Sequence, residues 1–218
     1  MKPIDLVLFD LDGTITDPAE GIVNSISHAL SAMNHPMIPR ETCCRFIGPA
    51  LLDSFQRYCG MSADEAREAI RLFREYYGPH GMFECYVFPG IRELFIRLKA
   101  AGKRIAVATA KAEPFAIELL DHYGLTEYFD CIAAASLDGS RSDKADIIDH
   151  GLAMLGITDR AAVIMVGDRE YDVIGAHDAG MQAIGVTWGY GPLAELQQAG
   201  ADYIAATPEE VADLILSE

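Results

Sequence analysis

Asp10-Leu11-Asp12-Gly13-Thr14 is the most informative motif of this sequence, and it directly follows the apolar run Ile4–Phe9. The run has the length of a strand and resembles the buried strands of parallel sheets. Ligands of such sheets bind outside the carboxyl ends of the strands. An Asp-Gly pair by itself is a common turn. Two carboxylates two residues apart at a strand end, followed by a glycine turn, can also serve one metal ion.

Further apolar runs of strand length recur along the chain. They are Ile105–Ala108, Cys131–Ala135, Val163–Val166, Ala183–Val186 and Tyr203–Ala205. Helical patterns accompany them at Ile91–Leu98, Phe115–Tyr123, Lys144–Leu155 and Asp172–Ala179. A last helix is predicted to begin at Thr207-Pro208-Glu209-Glu210, which has the capping signals of a helix start. This alternation predicts an α/β fold with a Rossmann-like parallel sheet core and helices on both faces.

Residues 15–85 interrupt the alternation, because this segment shows no convincing strand. One helical face of it carries apolar residues at Ile22, Ile26, Ala29, Leu30 and Met33. Ser62-Ala63-Asp64-Glu65 predicts a capping box at the start of a second helix. We therefore predict an α/β core domain of residues 1–14 and 86–218, with an inserted all-α cap domain of residues 15–85.

Charge and composition exclude several classes of partner. The 218 residues include 17 basic and 33 acidic side chains, a net charge of −16. This charge argues against a nucleic acid polymer or an anionic membrane as partner. No stretch approaches the roughly 20 apolar residues of a membrane span, and the five cysteines form no C-x-x-C motif. We expect reduced thiols and a cytoplasmic protein, either a monomer or a homodimer.

A second acidic motif follows the run Val163–Val166. It is Gly167-Asp168-Arg169-Glu170-Tyr171-Asp172. Three or four carboxylates brought to one sheet edge repel one another unless a cation or a proton compensates. Ligands that are all oxygen favour Mg²⁺. Thr109 at the end of the second run and Lys144 at a helix start add a hydroxyl and an ammonium, which suit a phosphate.

Taken together and in this order, these motifs resemble those of the haloacid dehalogenase-like hydrolases, specifically the magnesium-dependent phosphatases with a helical cap. The resemblance covers essentially the whole chain. It rests on the DxDGT motif at Asp10–Thr14 and on the GDxxxD motif that contains Asp168 and Asp172. The positions of Thr109 and Lys144 also support it.

The resemblance implies a role for each acidic residue of the two motifs. Asp10 would attack phosphorus and form an aspartyl-phosphate. Asp12 would protonate the leaving alkoxide and then activate the hydrolytic water. Mg²⁺ would be held by the carboxylates of Asp10 and Asp168 and by the backbone carbonyl of Asp12. Asp172 would orient a metal-bound water or Lys144.

The resemblance also implies a phosphate-binding set. Thr109 and the backbone N–H of Ala110 would hold phosphoryl oxygens, and Lys144 would neutralise the phosphate and Asp10. Gly13 would allow the backbone to approach the phosphate closely. Ala110 stands where the family commonly has Asn or Ser, which leaves the backbone donor in place. Lys111 matches a lysine that is often seen two residues after the threonine, and it is a candidate substrate contact.

In the family the cap closes over the site and contacts the leaving group, so cap residues set the choice of substrate. The candidates here are Glu20 and Asn24 in the first cap helix and Arg45 and Gly48 in the loop before Leu51–Tyr58.

Within the superfamily the chain looks most like phosphoglycolate phosphatases and the neighbouring 5′-nucleotidases. The loop Asp138–Lys144 and the run Gly185–Gly191 support that neighbourhood. We expect a Mg²⁺-dependent phosphomonoester hydrolase that acts on a small phosphorylated metabolite, phosphoglycolate-like, with a nucleoside 5′-monophosphate as the alternative. Trp188 and Tyr190 could stack on a base or pack on the core. A sugar-phosphate mutase and a non-catalytic phosphate-binding module remain less favoured alternatives.

Overall fold

The computed structural model describes residues 3–217 and divides into two compact units. The first unit comprises Met1–Thr16 and Val87–Glu218, and the second comprises Asp17–Tyr86. These bounds differ by one or two residues from the division at 15–85 drawn from the sequence.

Eight strands lie within residues 3–217. They are β1 (Leu6–Phe9), β2 (Thr16–Asp17), β3 (Tyr86–Val87), β4 (Arg104–Ala112), β5 (Cys131–Ala135), β6 (Val163–Gly167), β7 (Gln182–Val186) and β8 (Tyr203–Ala205). Six of them form a parallel sheet in the order β5-β4-β1-β6-β7-β8. The chain leaves β1 toward β4 and later returns to β6 on the other side. The carboxyl end of β1 therefore lies where the strand order reverses, which is where open α/β sheets bind ligands.

Ten α-helices lie within the same described residues. They are α1 (Ala19–Ala32), α2 (Arg40–Cys43), α3 (Leu51–Cys59), α4 (Ala63–Tyr77), α5 (Ile91–Ala100), α6 (Glu113–His122), α7 (Lys144–Leu155), α8 (Glu170–Asp178), α9 (Leu193–Gln198) and α10 (Pro208–Leu216). The sequence patterns predicted most of these to within two residues. The helices α2 and α9 were missed, because their four and six residues are too few to show a helical period.

Helices cover both faces of the parallel sheet, as predicted. Successive side chains of a strand point to opposite faces. Leu6 and Leu8 of β1 belong to a buried cluster that includes Ile147 of α7 and Val173 of α8. Phe9 points to the other face, where its ring lies 5.2 Å from that of Phe95 in α5.

The second unit is helical, and its first and longest helices, α1 and α4, pack against each other. Ser62 forms the predicted capping box: its hydroxyl accepts from the N–H of Glu65, whose carboxylate accepts from the N–H of Ser62. One expectation was wrong. Thr16–Asp17 lies in a segment that showed no strand pattern, yet it pairs with Tyr86–Val87 in a two-stranded sheet. Two residues are too few to show the alternation of a strand.

Across residues 3–217, none of the helices has both the length and the apolar character that crossing a bilayer demands.

Phe95 is the residue through which we test the packing of the sheet. Its ring is fully buried against Phe9, Tyr128 and Phe129, with centroids 5.2–5.6 Å away. Phe95→Ala should lower the free energy of unfolding by about 3–5 kcal/mol, because it removes a buried ring and leaves a cavity. Ile96→Ala is the matched control, since Ile96 is the next residue of α5 and is 55% exposed. Urea unfolding of both variants measures the difference, and equal losses would contradict the packing described here.

Candidate active site

Three carboxylates meet at the carboxyl ends of β1 and β6. Asp10 directly follows β1, Asp168 directly follows β6, and Asp172 lies in the first turn of α8. One oxygen of each lies within 4.8 Å of the others, and all three residues are buried. Like charges this close and this poorly solvated repel strongly, so the cluster requires compensating positive charge.

Lys144, the first residue of α7, supplies part of that charge. Its Nζ lies 2.9 Å from Asp10 Oδ1 and 2.7 Å from Asp172 Oδ1. It also donates to the carbonyl oxygen of Ala108 at 3.0 Å. Burial acts to lower the pKa of Lys144, but the two carboxylates outweigh it and raise the pKa above its usual value. The ammonium is therefore charged and neutralises one of the three negative charges.

Asp168 carries the clearest sign of uncompensated charge. Burial, together with the carboxylates of Asp172 and Asp10, raises the pKa of Asp168 to about 8. Its Oδ2 accepts from the N–H of Tyr190 at 2.7 Å, and its Oδ1 accepts from the Thr14 hydroxyl at 3.3 Å. A divalent cation would replace the proton that this carboxyl otherwise holds at neutral pH. The donors are all oxygen, so this cluster fits a hard cation such as Mg²⁺.

Asp172 has partners that orient it. Its Oδ2 accepts from the backbone N–H of Arg169 at 3.1 Å, and its Oδ1 faces Lys144. Burial, partly offset by Lys144, raises the pKa of Asp172. With both oxygens engaged, the carboxylate is placed to hold Lys144 against Asp10. The role that the resemblance gave to Asp172 stays a prediction.

The loop after β7 holds Asp168 in place, and the sequence analysis did not foresee this. Trp188 and Tyr190, considered there as stacking or core residues, act through polar groups: Trp188 Nε1 donates to the carbonyl of Thr14 at 3.0 Å, and the Tyr190 N–H binds Asp168. A Cβ at Gly189 would lie 2.3 Å from the carbonyl oxygen of Gly13 and 2.4 Å from Asp168 Oδ2. The glycine-rich run Gly185–Gly191 was the available signal, because glycines mark close backbone approach.

Gly13 is constrained from the opposite side. Its φ of +88° is unfavourable for other residues, and a Cβ there would lie 2.4 Å from Asp168 Oδ2. The Asp168 carboxylate thus occupies the space that a side chain at this position would need. The close approach of Gly13 to a phosphate stays a prediction.

Asp12 lies beside Lys111. Lys111 Nζ is 2.9 Å from Asp12 Oδ2, and the two side chains are 5% and 15% exposed. Burial raises the pKa of Asp12, and the nearby Lys111 ammonium acts in the opposite direction. A raised pKa suits a group that must donate a proton. The sequence analysis named Lys111 as a candidate substrate contact and did not pair it with Asp12.

Thr109 and Ala110 lie at the carboxyl half of β4. Phe9 pairs with Val107 in the parallel register, so Thr109 lies at the same sheet edge as Asp10. The register between β4 and β5 shifts between Thr109 and Ala112. Thr109 is buried, and its hydroxyl accepts from the N–H of Lys111 at 3.2 Å. The phosphate-binding role of this segment stays a prediction.

All four candidate substrate contacts of the cap lie in the helical unit, and two of them pair with other residues of that unit. Glu20 pairs with Arg40 at 3.0 Å, and Asn24 donates to Glu84 at 2.9 Å. Arg45 is exposed, and Gly48 has a φ of +104°. Their part in substrate binding stays a prediction.

Comparison with known proteins decides the family. The sequence matches the Haloacid dehalogenase-like hydrolase family over residues 7–186. The chain belongs to this family of hydrolases. The match spans both acidic motifs and the lysine between them, so the residues that meet at the sheet edge are those that the family model covers.

The similar proteins carry several names, and those of two phosphate-ester hydrolases are among them. The chain is 40% identical to the tyrosine-protein kinase PtkA of Mycobacterium tuberculosis, over 96% of this chain and 72% of PtkA. It is 39% identical to a 5′-nucleotidase of Pseudomonas aeruginosa, over 88% of this chain and 86% of that protein. A phosphoglycolate phosphatase of Agrobacterium fabrum is 32% identical over 93% of this chain and 91% of its own.

A solved structure of a predicted phosphatase from Clostridium acetobutylicum has 41% identity, a TM-score of 0.95 and full coverage of both chains. The family and the phosphatases among the relatives identify the chain as a phosphatase of the haloacid dehalogenase-like hydrolases.

The charge of the carboxylate cluster yields a prediction about stability. The raised pKa of Asp168, against about 3.9 in an unfolded chain, means that the metal-free fold binds an extra proton between these values. The contribution of the Asp168 carboxyl to stability is present below about pH 4 and falls by about 1.4 kcal/mol per pH unit up to about pH 8. Mg²⁺ should therefore raise the melting temperature more at pH 8 than at pH 6.

Asp168→Asn is the matched variant for this measurement. It removes the titrating carboxyl, so the variant should lose the pH-dependent part of the Mg²⁺ effect. Thermal melts of both proteins with Mg²⁺ and with EDTA give the comparison. If Mg²⁺ raised the melting temperature of both proteins equally, the cation would not bind at Asp168.

Proposed function

We propose that this hydrolase cleaves small phosphomonoesters with Mg²⁺ through an aspartyl-phosphate on Asp10. One observation carries the proposal: the buried Asp10 carboxylate lies 2.9 Å from the Lys144 ammonium, in a cluster with Asp168 at the carboxyl end of the central strand. An anionic nucleophile can approach an anionic phosphate only where positive charge has been assembled to receive both.

Each residue of the site would then take one part of the reaction. Asp10 attacks phosphorus, and Lys144 offsets the negative charge that Asp10 and the phosphate bring together. Thr109 and the N–H of Ala110 hold phosphoryl oxygens. Asp12 gives its proton to the leaving oxygen and later accepts one from the hydrolytic water.

The metal would be held by Asp10, Asp168 and the backbone carbonyl of Asp12. When bound, Mg²⁺ supplies positive charge that offsets the charge of the phosphoryl group. Asp172 would hold Lys144 beside Asp10. The distance of 2.7 Å between Lys144 Nζ and Asp172 Oδ1 supports this role.

The substrate is the finer part of the proposal. Phosphoglycolate and the nucleoside 5′-monophosphates are the two candidates drawn from the motifs. The higher identity to the 5′-nucleotidase, 39% against 32%, favours a nucleoside 5′-monophosphate. The cytoplasmic location and the monomeric or homodimeric state stay predictions.

A panel of phosphomonoesters tests the activity and orders the candidates. It contains 2-phosphoglycolate, nucleoside 5′-monophosphates, sugar phosphates and pyrophosphate, each with Mg²⁺ and with EDTA. O-phosphotyrosine is added, because one relative is named a tyrosine-protein kinase. Phosphate release that requires Mg²⁺ is the expected result. A folded protein that releases no phosphate from any member would favour the mutase or the binding module.

The nucleophile has its own test. Asp10→Asn should reduce turnover by at least about 10³-fold with the preferred ester, since an amide cannot form the phosphorylated intermediate. Asp5→Asn is the matched control, because Asp5 precedes the same strand and is exposed. Phosphate release and circular dichroism are measured for both variants. Full activity of a folded Asp10→Asn protein would exclude the aspartyl-phosphate.

A further inference from the structure

We propose that Lys111 is a positioning residue for the general acid: its ammonium holds one oxygen of Asp12 so that the other oxygen faces the leaving group. The inference rests on the proposed phosphomonoesterase function and replaces the expectation that Lys111 contacts the substrate. It assigns the two buried lysines of the core to two different aspartates.

The contacts of Asp12 are asymmetric. Its Oδ2 lies 2.9 Å from Lys111 Nζ. Its Oδ1 is buried, and no group among residues 3–217 hydrogen-bonds to it. A buried carboxyl oxygen without a partner is costly, and such an atom in a catalytic site is ready for a partner that the protein does not supply. A leaving-group oxygen is that partner in the proposed reaction.

Lys111 is itself well anchored. Its side chain is only 5% exposed, and its backbone N–H donates to the Thr109 hydroxyl at 3.2 Å. The ammonium therefore reaches Asp12 from a fixed point on β4. A short contact of this kind between Lys111 Nζ and Asp12 Oδ2 restricts the rotation of the carboxyl group. A proton donor needs a fixed orientation in order to meet its acceptor.

Lys144 and Lys111 pair with different aspartates of the first motif. Lys144 Nζ lies 2.9 Å from Asp10 and 2.7 Å from Asp172, whereas Lys111 Nζ pairs with Asp12. Asp10 and Asp12 are two residues apart, so separate cations keep the nucleophile and the acid in separate orientations.

The proton transfer balances as follows. Asp10 forms a bond to phosphorus, and the bond between phosphorus and the ester oxygen breaks with its electron pair left on that oxygen. The ester oxygen takes the proton of Asp12 and departs as an alcohol. Asp12 is left as a carboxylate in a buried site, where the Lys111 ammonium compensates its new charge.

A series of leaving groups measures this role. The series runs from p-nitrophenyl phosphate, whose leaving group needs little protonation, to alkyl phosphates, whose leaving groups need a proton. Lys111→Met should lower kcat/KM for the alkyl esters by about 10–100-fold and for p-nitrophenyl phosphate by about 3-fold or less, within the range of general acid catalysis. The affinity for inorganic phosphate as an inhibitor should change less than about 2-fold, because Lys111 holds the acid and not the phosphate.

Two further variants control for charge and for folding. Lys99→Met removes a lysine from the same unit, one paired with Asp130 at 2.8 Å, and should leave the leaving-group dependence unchanged. Asp12→Asn removes the acid. The double variant Asp12→Asn/Lys111→Met should therefore show the same dependence of kcat/KM on the leaving group as Asp12→Asn alone. The double variant leaves no unpaired buried carboxylate at this position, and it can be tested even where Lys111→Met alone does not fold.

The outcomes separate the inference from the proposed function. Equal losses of kcat/KM for every ester would reduce Lys111 to a structural residue, and a matching loss of phosphate affinity would return it to substrate binding. Either result overturns the inference and leaves the phosphatase intact. A wild-type protein that hydrolyses none of the series would overturn the proposed function, and the inference with it.

Discussion

The repulsion among Asp10, Asp168 and Asp172 is the constraint to which the rest of the site responds. Three buried carboxylates lie with oxygens within 4.8 Å of one another, and Lys144 compensates only one of them. The remaining charge explains the raised pKa of Asp168 and the fit of the cluster to a divalent cation. The same positive charge, assembled for the protein's own carboxylates, is what would receive a phosphate.

The surrounding structure holds this unfavourable cluster together. β1 and β6 are adjacent and parallel, so Asp10 and Asp168 emerge side by side. The Tyr190 N–H and the Thr14 hydroxyl fix Asp168, and the N–H of Arg169 fixes Asp172. In a buried site such hydrogen-bond donors stabilise a negative charge more effectively than they would in water, because the local dielectric constant is low.

Much of the fold and of the site could be predicted from the sequence. The apolar runs gave the strands of the parallel sheet, because buried strands are apolar throughout. The two acidic motifs gave Asp10 and Asp168, because parallel strands place their carboxyl ends at one edge. Short elements such as β2 and α9 were missed, since two or six residues carry no readable period. The role of Gly189 was missed as well, because a glycine does not reveal which atoms approach it.

The order of residues along the chain was enough to predict which residue types stand at the strand ends, and hence the family and its hydrolytic chemistry. The resemblance already implied that Lys144 lies beside Asp10, whereas the pairing of Lys111 with Asp12 emerged from the tertiary structure. Lys111 and Asp12 are 99 positions apart, and nothing in the local sequence of Lys111 indicates a partner at Asp12. That pairing depends on a distance of 2.9 Å across the sheet edge, which exists only once β1 and β4 have packed side by side.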